Sequence, residues 1–456
     1  MRVYLQTLGC KLNESELESW ARDFIARGDE LVDDPRRAET IVLNTCTVTS
    51  QAARKSRNLA RHLARTNADA QIVLTGCYAT LSSEQASRLP NVALVVPNAD
   101  KEELVRLAGE RLHAMDFQLV ANGCRVPEAV SGELDFPPRT EIRKSGLCTR
   151  AFVKIQDGCN MACTYCIIPL ARGRARSRPQ SEIVDEIRVL VDAGYQEVIL
   201  TGVQISDYRL GERETERNRL RGLCDLIGDI LQNTALPRLR LTSIAPWDLD
   251  AELLDLFSDA RVCRHLHLSL QSGSSTVLRR MRRPYSAEQF ADAVAMARAK
   301  IPDVAITTDV IVGFPGEAEV EFRESVEFVE RMNFARIHVF SYSPREGTLA
   351  AQLPLHVADE IKDARHKIMQ RVADASLRRF AETFVGQTLN VLYEEQTPSP
   401  DRGGMGWGVW SGYTDNYIRV VTRSRENLGN RIVPTRIVEA VEDGARGELD
   451  VSISNF

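Results

Sequence analysis

The 456-residue sequence predicts an α/β protein of three parts: an N-terminal open parallel α/β sheet, a central partial (β/α)6 barrel and a small C-terminal β-barrel. Strand-like apolar runs alternate with amphipathic helical stretches from Met1 to Val96, and again in larger units from Ala151 to Phe340. Such alternation argues for parallel sheets. Beyond Phe384 the helical period stops, and short strands with Gly and Pro breaks follow, the pattern of a small barrel. A chain this long exceeds one ordinary domain. The parts are expected at residues 1–115, 145–375 and 380–445, with the aperiodic stretch 116–144, holding Pro127, Pro137 and Pro138, as a linker.

Composition bounds the function classes. Hydrophobic residues make up 43% and charged residues 27% of the chain, ordinary values for a globular protein. A net charge of −5 gives no global pull toward nucleic acid, so any RNA contact must come from local basic patches, and DNA is not an expected partner. No apolar run reaches the about 18 residues of a membrane span, and Met1-Arg2-Val3-Tyr4-Leu5 opens no signal-peptide core. Ten cysteines exceed what packing requires, and three share one tight loop. That argues for metal binding in the cytoplasm rather than a secreted disulfide framework.

In the first part, Met1–Thr7 reads as a strand, Glu14–Arg27 as a helix, Thr40–Asn44 as a strand and Ser50–Arg65 as a long basic-faced helix. Gln71–Thr75 and Val92–Val96 are strands, with a helix near Ser83–Leu89 between them. Cys10 follows the first strand, Cys46 the second and Cys77 the third. The carboxyl ends of parallel strands share one edge, where ligands bind. The three thiols are therefore expected to converge on one metal site. Unrelated half-buried cysteines in βα turns are the alternative.

The second part opens with the strand-like run Ala151–Ile155 and then Cys159-Asn160-Met161-Ala162-Cys163-Thr164-Tyr165-Cys166. Iron–sulfur cubes usually take four Cys thiolates, so three leave one iron open. An open coordination position is what a catalytic metal site needs, and a loop after a strand is where an α/β barrel keeps its active site. A zinc knuckle or three core cysteines is the alternative. Further strands are expected at Phe152–Ile155, Glu197–Thr201, Leu239–Ser243, His265–Leu270, Ala305–Val312 and Arg336–Phe340. In the third part, strands are expected at Thr388–Tyr393, Gly406–Trp410, Tyr417–Val421 and Arg431–Val433, after a charged helix over Ala358–Phe384.

The Cys159–Cys166 loop resembles the cluster loop of the radical S-adenosylmethionine (radical SAM) superfamily. Gly9-Cys10-Lys11-Leu12-Asn13, Asn44-Thr45-Cys46-Thr47-Val48-Thr49 and Thr75-Gly76-Cys77-Tyr78-Ala79 are similar to the three cysteine motifs of its methylthiotransferase family. The resemblance implies two [4Fe–4S] clusters, each with an open iron: one on Cys159, Cys163 and Cys166 that reduces SAM, and an auxiliary one on Cys10, Cys46 and Cys77 that supplies sulfur. Two SAM molecules are consumed per turnover, and a low-potential electron donor is required. The first motif resembles the branch that acts on N6-threonylcarbamoyladenosine at position 37, in the anticodon loop of tRNA. Branches acting on isopentenyladenosine tRNA or on ribosomal protein S12 share the chemistry, and a non-catalytic Fe–S RNA-binding protein is the alternative of another class. Methylthiolation replaces an aromatic C–H at adenine C2, which acid–base chemistry cannot do, so a cofactor must carry it.

By the same resemblance SAM contacts fall to Tyr165 in the cluster loop, Gly202 after the second barrel strand, Ser243 after the third, Gln271 after the fourth, and Asp309 opening the glycine-rich segment to Pro315. Gln204 and Ala245 depart from the family pattern and receive no role. Arg172, Arg174, Arg176 and Arg178 form either a solvated face or a tRNA phosphate site. His265 and His267 share one strand face and are expected to be core or rim residues; Cys124 and Cys148 are bystanders. The C-terminal module resembles a TRAM domain, an RNA-binding barrel of the OB type. Its Trp407, Trp410, Tyr413 and Tyr417 could stack on bases, with Arg419, Arg423 and Arg425 near phosphates; an aromatic core is the alternative.

Overall fold

The computed structural model describes residues 1–110, 149–209, 221–397 and 408–449. The expected linker 116–144, Cys124, Cys148 and Trp407 lie outside the described residues. In the N-terminal part, β1 (Arg2–Thr7), β2 (Glu30–Leu31), β3 (Thr40–Thr45), β4 (Gln71–Thr75) and β5 (Val92–Val96) form a parallel sheet in the order β2-β1-β3-β4-β5. Ile41, Val42 and Leu43 of β3 and Ile72, Val73 and Leu74 of β4 are fully buried, because helices cover both faces. The covering helices include α1 (Lys11–Ala26) and α2 (Ser50–Thr66), and the short α3 (Gly76–Leu81) starts straight from β4.

In the central part, β6 (Arg150–Lys154), β7 (Glu197–Thr201) and β8 (Arg238–Leu241) form one parallel sheet and β9 (His265–His267), β10 (Ala305–Val312) and β11 (Arg336–Ser341) another. Parallel bridges Leu239–Val262 and Ile244–Leu268 join the two, giving six strands around an incomplete barrel. Side chains alternate strictly. Ala151, Val153, Val198, Leu200, Leu239, Leu241, Leu266, Ile306, Val310 and Ile337 face the surrounding helices in one large apolar core. The alternate positions point into the lumen: Arg150, Lys154, Glu197, Arg238, Arg240, His265, His267, Thr307, Asp309, Arg336 and His338, with Phe152, Ile199, Ile311 and Phe340 among them. An ordinary complete barrel fills its lumen with branched apolar residues; here polar and charged residues outnumber the apolar ones.

Two expected strands are shorter than their apolar runs. The third ends at Leu241, just before Ser243 (φ 52°) adopts left-handed backbone that a strand cannot continue, and the fourth ends at His267, followed by isolated bridges at Leu268 and Gln271. The closing helix (Asp359–Glu382) packs on β11 and continues past residue 375.

The C-terminal part is a closed five-stranded barrel of β12 (Thr388–Thr397), β13 (Gly408–Thr414), β14 (Arg419–Ser424), β15 (Arg431–Val441) and β16 (Gly444–Leu449). Its turn at Thr414–Ile418 covers the N-terminal end of the central barrel. Arg240 donates to the carbonyls of Asp415 (2.8 Å) and Thr414 (3.1 Å), Arg238 to those of Asn390 (2.7 Å) and Tyr413 (3.1 Å), and Arg264 pairs with Asp415 at 2.6 Å. Glu197, fully buried, holds Arg240 at 2.7 Å. Without this cover the charged floor of the lumen would be open to solvent. Tyr417 is left-handed (φ 67°), so β14 starts at Arg419, not Tyr417. Its ring stacks on His265 at 4.4 Å and on Tyr413 at 5.1 Å, and Trp410 is buried in the small barrel's core. The expected base-stacking face is thus not formed by these three aromatics: they are spent on packing.

Candidate active site

β1, β3 and β4 are neighbours, so the residues following them meet on one edge. Cys10 caps α1, Cys46 follows β3, and Cys77 is the second residue of α3. The local sequence secures each one. Ser56 on α2 accepts from the Cys46 amide (3.1 Å) and donates to its carbonyl (2.9 Å). Asn98 donates to Cys77 Sγ at 3.8 Å, and Cys10 Sγ donates to Asn13 Oδ1 at 3.7 Å. Gly9 (φ 122°) leaves room that a Cβ would fill, 2.9 Å from Cys46 Cβ and 3.1 Å from its Sγ. Burial pushes the Cys46 thiol up to about 11, with Cys10 and Cys77 adding to the rise. Burial also raises the Cys10 thiol, against the pull of Arg172. Cys10 is nevertheless reached by solvent, so it lies in a crevice open on one side.

The second thiol group sits beyond β6. Met161 donates its amide to Cys159 Sγ at 3.4 Å, and Arg283 Nη1 donates to Cys163 Sγ at 3.3 Å. Arg283 is itself held over Trp247 (4.9 Å) and Tyr285 (5.2 Å). Burial lifts Cys166 to about 12 and also raises Cys159. Among the described residues no three Cys, His, Asp or Glu side chains converge on a single ion. A cuboidal cluster takes each thiolate on a different iron. Three soft thiols at each site, buried at Cys46 and Cys77 and partly open at the other four, fit an iron–sulfur group, and loading it must displace protons.

A cavity of about 210 Å³ lies between Cys166 and the turn that follows Cys46. Val48 and Thr49, just after Cys46, form one wall; Tyr165 and Cys166 form another; Gln271, Asp309, Ile311 and Phe340 at the barrel strand ends complete it. Of the expected SAM residues, Tyr165, Gln271 and Asp309 meet here with Cys166. Gly202 and Ser243 do not line this cavity. Gly202 closes on Gln156, whose Oε1 accepts from the amides of Val203 (2.9 Å) and Gln204 (3.1 Å), and Ser243 accepts from the Ile205 amide at 3.1 Å on the same rim. Gln204 donates to Asp248 at 3.2 Å.

Arg172 is not available to a phosphate, unlike Arg174 and Arg176 of the same run, which are exposed. It is only 4% exposed, and it ties the domains together. Nη1 donates to Glu16 Oε1 (2.9 Å) and Asp157 Oδ1 (2.9 Å), and Nη2 donates to Asn13 Oδ1 (2.7 Å). Glu16 also takes Lys101 Nζ at 2.5 Å and Asn44 Nδ2 at 2.9 Å. Burial opposes ionisation of Glu16, but Lys101 and Arg172 outweigh it and hold the carboxyl well below its usual range. Arg178 pairs with Glu186 at 2.7 Å, and Arg174 and Arg176 are exposed. The asparagines and Glu16 around the first two cysteines thus anchor both thiol groups to one buried clasp. Sequence reading missed this, because Glu16 and Arg172 lie 156 residues apart.

Below the cavity, the lumen carries a polar chain. Thr307 Oγ1 bonds both His265 Nε2 and His267 Nδ1 at 3.0 Å, and His267 Nε2 lies 3.3 Å from Asp309 Oδ2. His338 stands 6.3 Å from His267, ring to ring. Burial, then Arg240 and Lys11, push His265 well below its ordinary value, so it is neutral. Lys11, next to Cys10, reaches in with its ammonium 5.4 Å from the Tyr417 ring. Among the described residues it has no hydrogen bond or ion pair.

Residues 153–329 match the radical SAM superfamily, and residues 2–97 match the Uncharacterized protein family UPF0004. Over 440 residues the chain is 37% identical to the threonylcarbamoyladenosine tRNA methylthiotransferase MtaB of Bacillus subtilis (strain 168), covering 96% of this chain and 94% of that protein. It is 32% identical over 403 residues to the tRNA-2-methylthio-N(6)-dimethylallyladenosine synthase of Thermodesulfovibrio yellowstonii, covering 86% and 88% of the two. Among solved structures, the radical S-adenosylmethionine methyltransferase TsrM of Kitasatospora setae aligns with a TM-score of 0.52 at 17% identity, covering 75% of this chain and 73% of that one, a likeness of fold.

Proposed function

We propose that this chain, which belongs to the methylthiotransferase family of radical SAM enzymes, converts N6-threonylcarbamoyladenosine at tRNA position 37 to its 2-methylthio derivative. Cys159, Cys163 and Cys166 would hold the cluster that binds SAM, and Cys10, Cys46 and Cys77 an auxiliary [4Fe–4S] cluster. When bound, these groups supply the electron for SAM cleavage and the transferred sulfur, at two SAM per turnover with a low-potential donor. Tyr165, Gln271 and Asp309 would orient SAM in the cavity they share with Cys166, with Gly202 and Ser243 on the adjoining rim. The cavity walls keep water from the reacting C2, and position 37 enters splayed from its loop. Among the described residues no helix is long and apolar enough to cross a membrane, which accords with work on tRNA in the cytoplasm.

One observation carries the choice of substrate. A dimethylallyl group needs apolar walls; a threonylcarbamoyl group brings a carboxylate and a hydroxyl. The lumen below the cavity offers Lys11, Thr307, His267 and His338, and the Lys11 ammonium has no anion of its own among the described residues. The half-buried Lys11 ammonium, whose neighbour is the Tyr417 ring, would gain a charge-assisted bond from a substrate carboxylate.

Reconstituted protein given tRNA with either threonylcarbamoyladenosine or isopentenyladenosine at position 37 should methylthiolate the first, as read by nucleoside mass spectrometry. Preference for isopentenyladenosine, or for a ribosomal protein, would contradict the assignment. Lys11→Met should raise KM for the threonylcarbamoyl substrate by about tenfold or more, the worth of a charge-assisted bond. Lys11→Arg should keep most of the affinity, and an unchanged KM in the Met variant would remove Lys11 from the substrate site.

A further inference from the structure

We propose that α2 is the surface that carries the backbone phosphates of the RNA substrate, through a stripe of Arg54, Arg57, Arg61 and Arg65. This rests on the tRNA reading above and adds where the nucleic acid lies.

The helix has two faces. Ala53, Ser56, Leu59, Ala60, Leu63 and Ala64 are buried against the sheet. At 100° per residue the four arginines fall within an arc of about 80° on the opposite side, and over 11 residues they span about 16 Å. Lys55 and His62 flank them. From Thr40 to Ser82 the chain has five Lys and Arg and a single acid, Asp69, although the whole protein carries −5. Among the described residues none of Arg54, Lys55, Arg57, Arg61 or Arg65 has an ion pair. Elsewhere on the surface arginines pair routinely, as Arg88 does with Glu84 and Arg378 with Glu382. Like charges three and four residues apart weaken a helix. A stripe held against that cost, with no acid nearby, complements a polyanion.

Its location fits the same substrate. α2 begins at the cavity: Val48 and Thr49 line it, Thr49 Oγ1 caps the helix by accepting from the Ala52 amide at 3.1 Å, and Ser50 bonds Ser343 on the barrel rim at 3.0 Å. Arg345 donates to Thr47 at 2.5 Å beside this junction. The stripe therefore runs outward from the mouth through which a splayed base enters. The C-terminal barrel makes a poorer candidate, since Trp410, Tyr413 and Tyr417 turn inward and Arg419 pairs with Asp443 at 3.1 Å.

The test uses the reconstituted holoprotein and a tRNA bearing threonylcarbamoyladenosine, with affinity measured across a salt series. An Arg61→Gln/Arg65→Gln variant should bind about tenfold more weakly at low salt, and its log–log salt slope should fall by about 1.5, as expected for two lost phosphate contacts. Iron content and thermal midpoint verify the fold. An Arg423→Gln/Arg425→Gln variant on the C-terminal barrel should change the slope less. Wild-type binding with no change in the α2 variant, or a loss confined to the Arg423/Arg425 variant, overturns the proposal. If the wild type binds this tRNA no better than a DNA hairpin of equal charge, the tRNA reading itself fails and takes the proposal with it.

Discussion

Arg172→Met should destabilise the joint between the N-terminal sheet and the central barrel by about 3–5 kcal/mol, the range for breaking a buried ion pair from one side. The arginine is 4% exposed and satisfies Glu16, Asp157 and Asn13 at once. Removing it leaves Glu16 with Lys101 and the Asn44 amide and strips Asp157 of its cation. Asn13 also contacts Cys10, so the first thiol group should loosen as well. Calorimetry on the reconstituted protein should show an earlier transition and a lower iron content. A shift worth less than about 1 kcal/mol, the size of an exposed pair, would mean that the clasp is not closed in solution.

A Cys10→Ala/Cys46→Ala/Cys77→Ala variant should lose methylthiolated nucleoside completely while still forming 5′-deoxyadenosine from SAM. The two thiol groups stand on different domains, one on the edge made by β1, β3 and β4 and the other beyond β6. Removing the first leaves every contact of Cys159, Cys163 and Cys166 in place, Arg283 included. Mass spectrometry of both products separates the outcomes. Methylthiolated product from this variant would mean that the sulfur comes from elsewhere.

Much of this was legible in the sequence because the relevant signals are local. β4, β5, β7 and β10 have the bounds their apolar runs predict. The position of each N-terminal cysteine just past a strand is likewise readable, since strand and turn are neighbours in the chain. What escaped depends on distant partners. A basic run such as Arg172–Arg178 looks uniform, yet Arg172 is internal because Glu16 and Asp157 meet it, while Arg174 is exposed. Tyr417 looks like a strand aromatic, but a left-handed turn sends its ring onto His265. β16, with two glycines and two charges in six residues, has no strand pattern and forms only because barrel closure supplies its partners β14 and β15. Lys11 reads as a motif residue, and only the fold aims it into the lumen.

The central claim is that two separate three-cysteine sites each hold a cluster. Iron and sulfide content with Mössbauer spectra on anaerobically reconstituted protein tests it most directly, comparing wild type with a Cys159→Ala/Cys163→Ala/Cys166→Ala variant. At four irons per cube, about eight irons should fall to about four. Four falling to none would contradict the account, leaving Cys10, Cys46 and Cys77 without a cluster and the proposed reaction without its sulfur site.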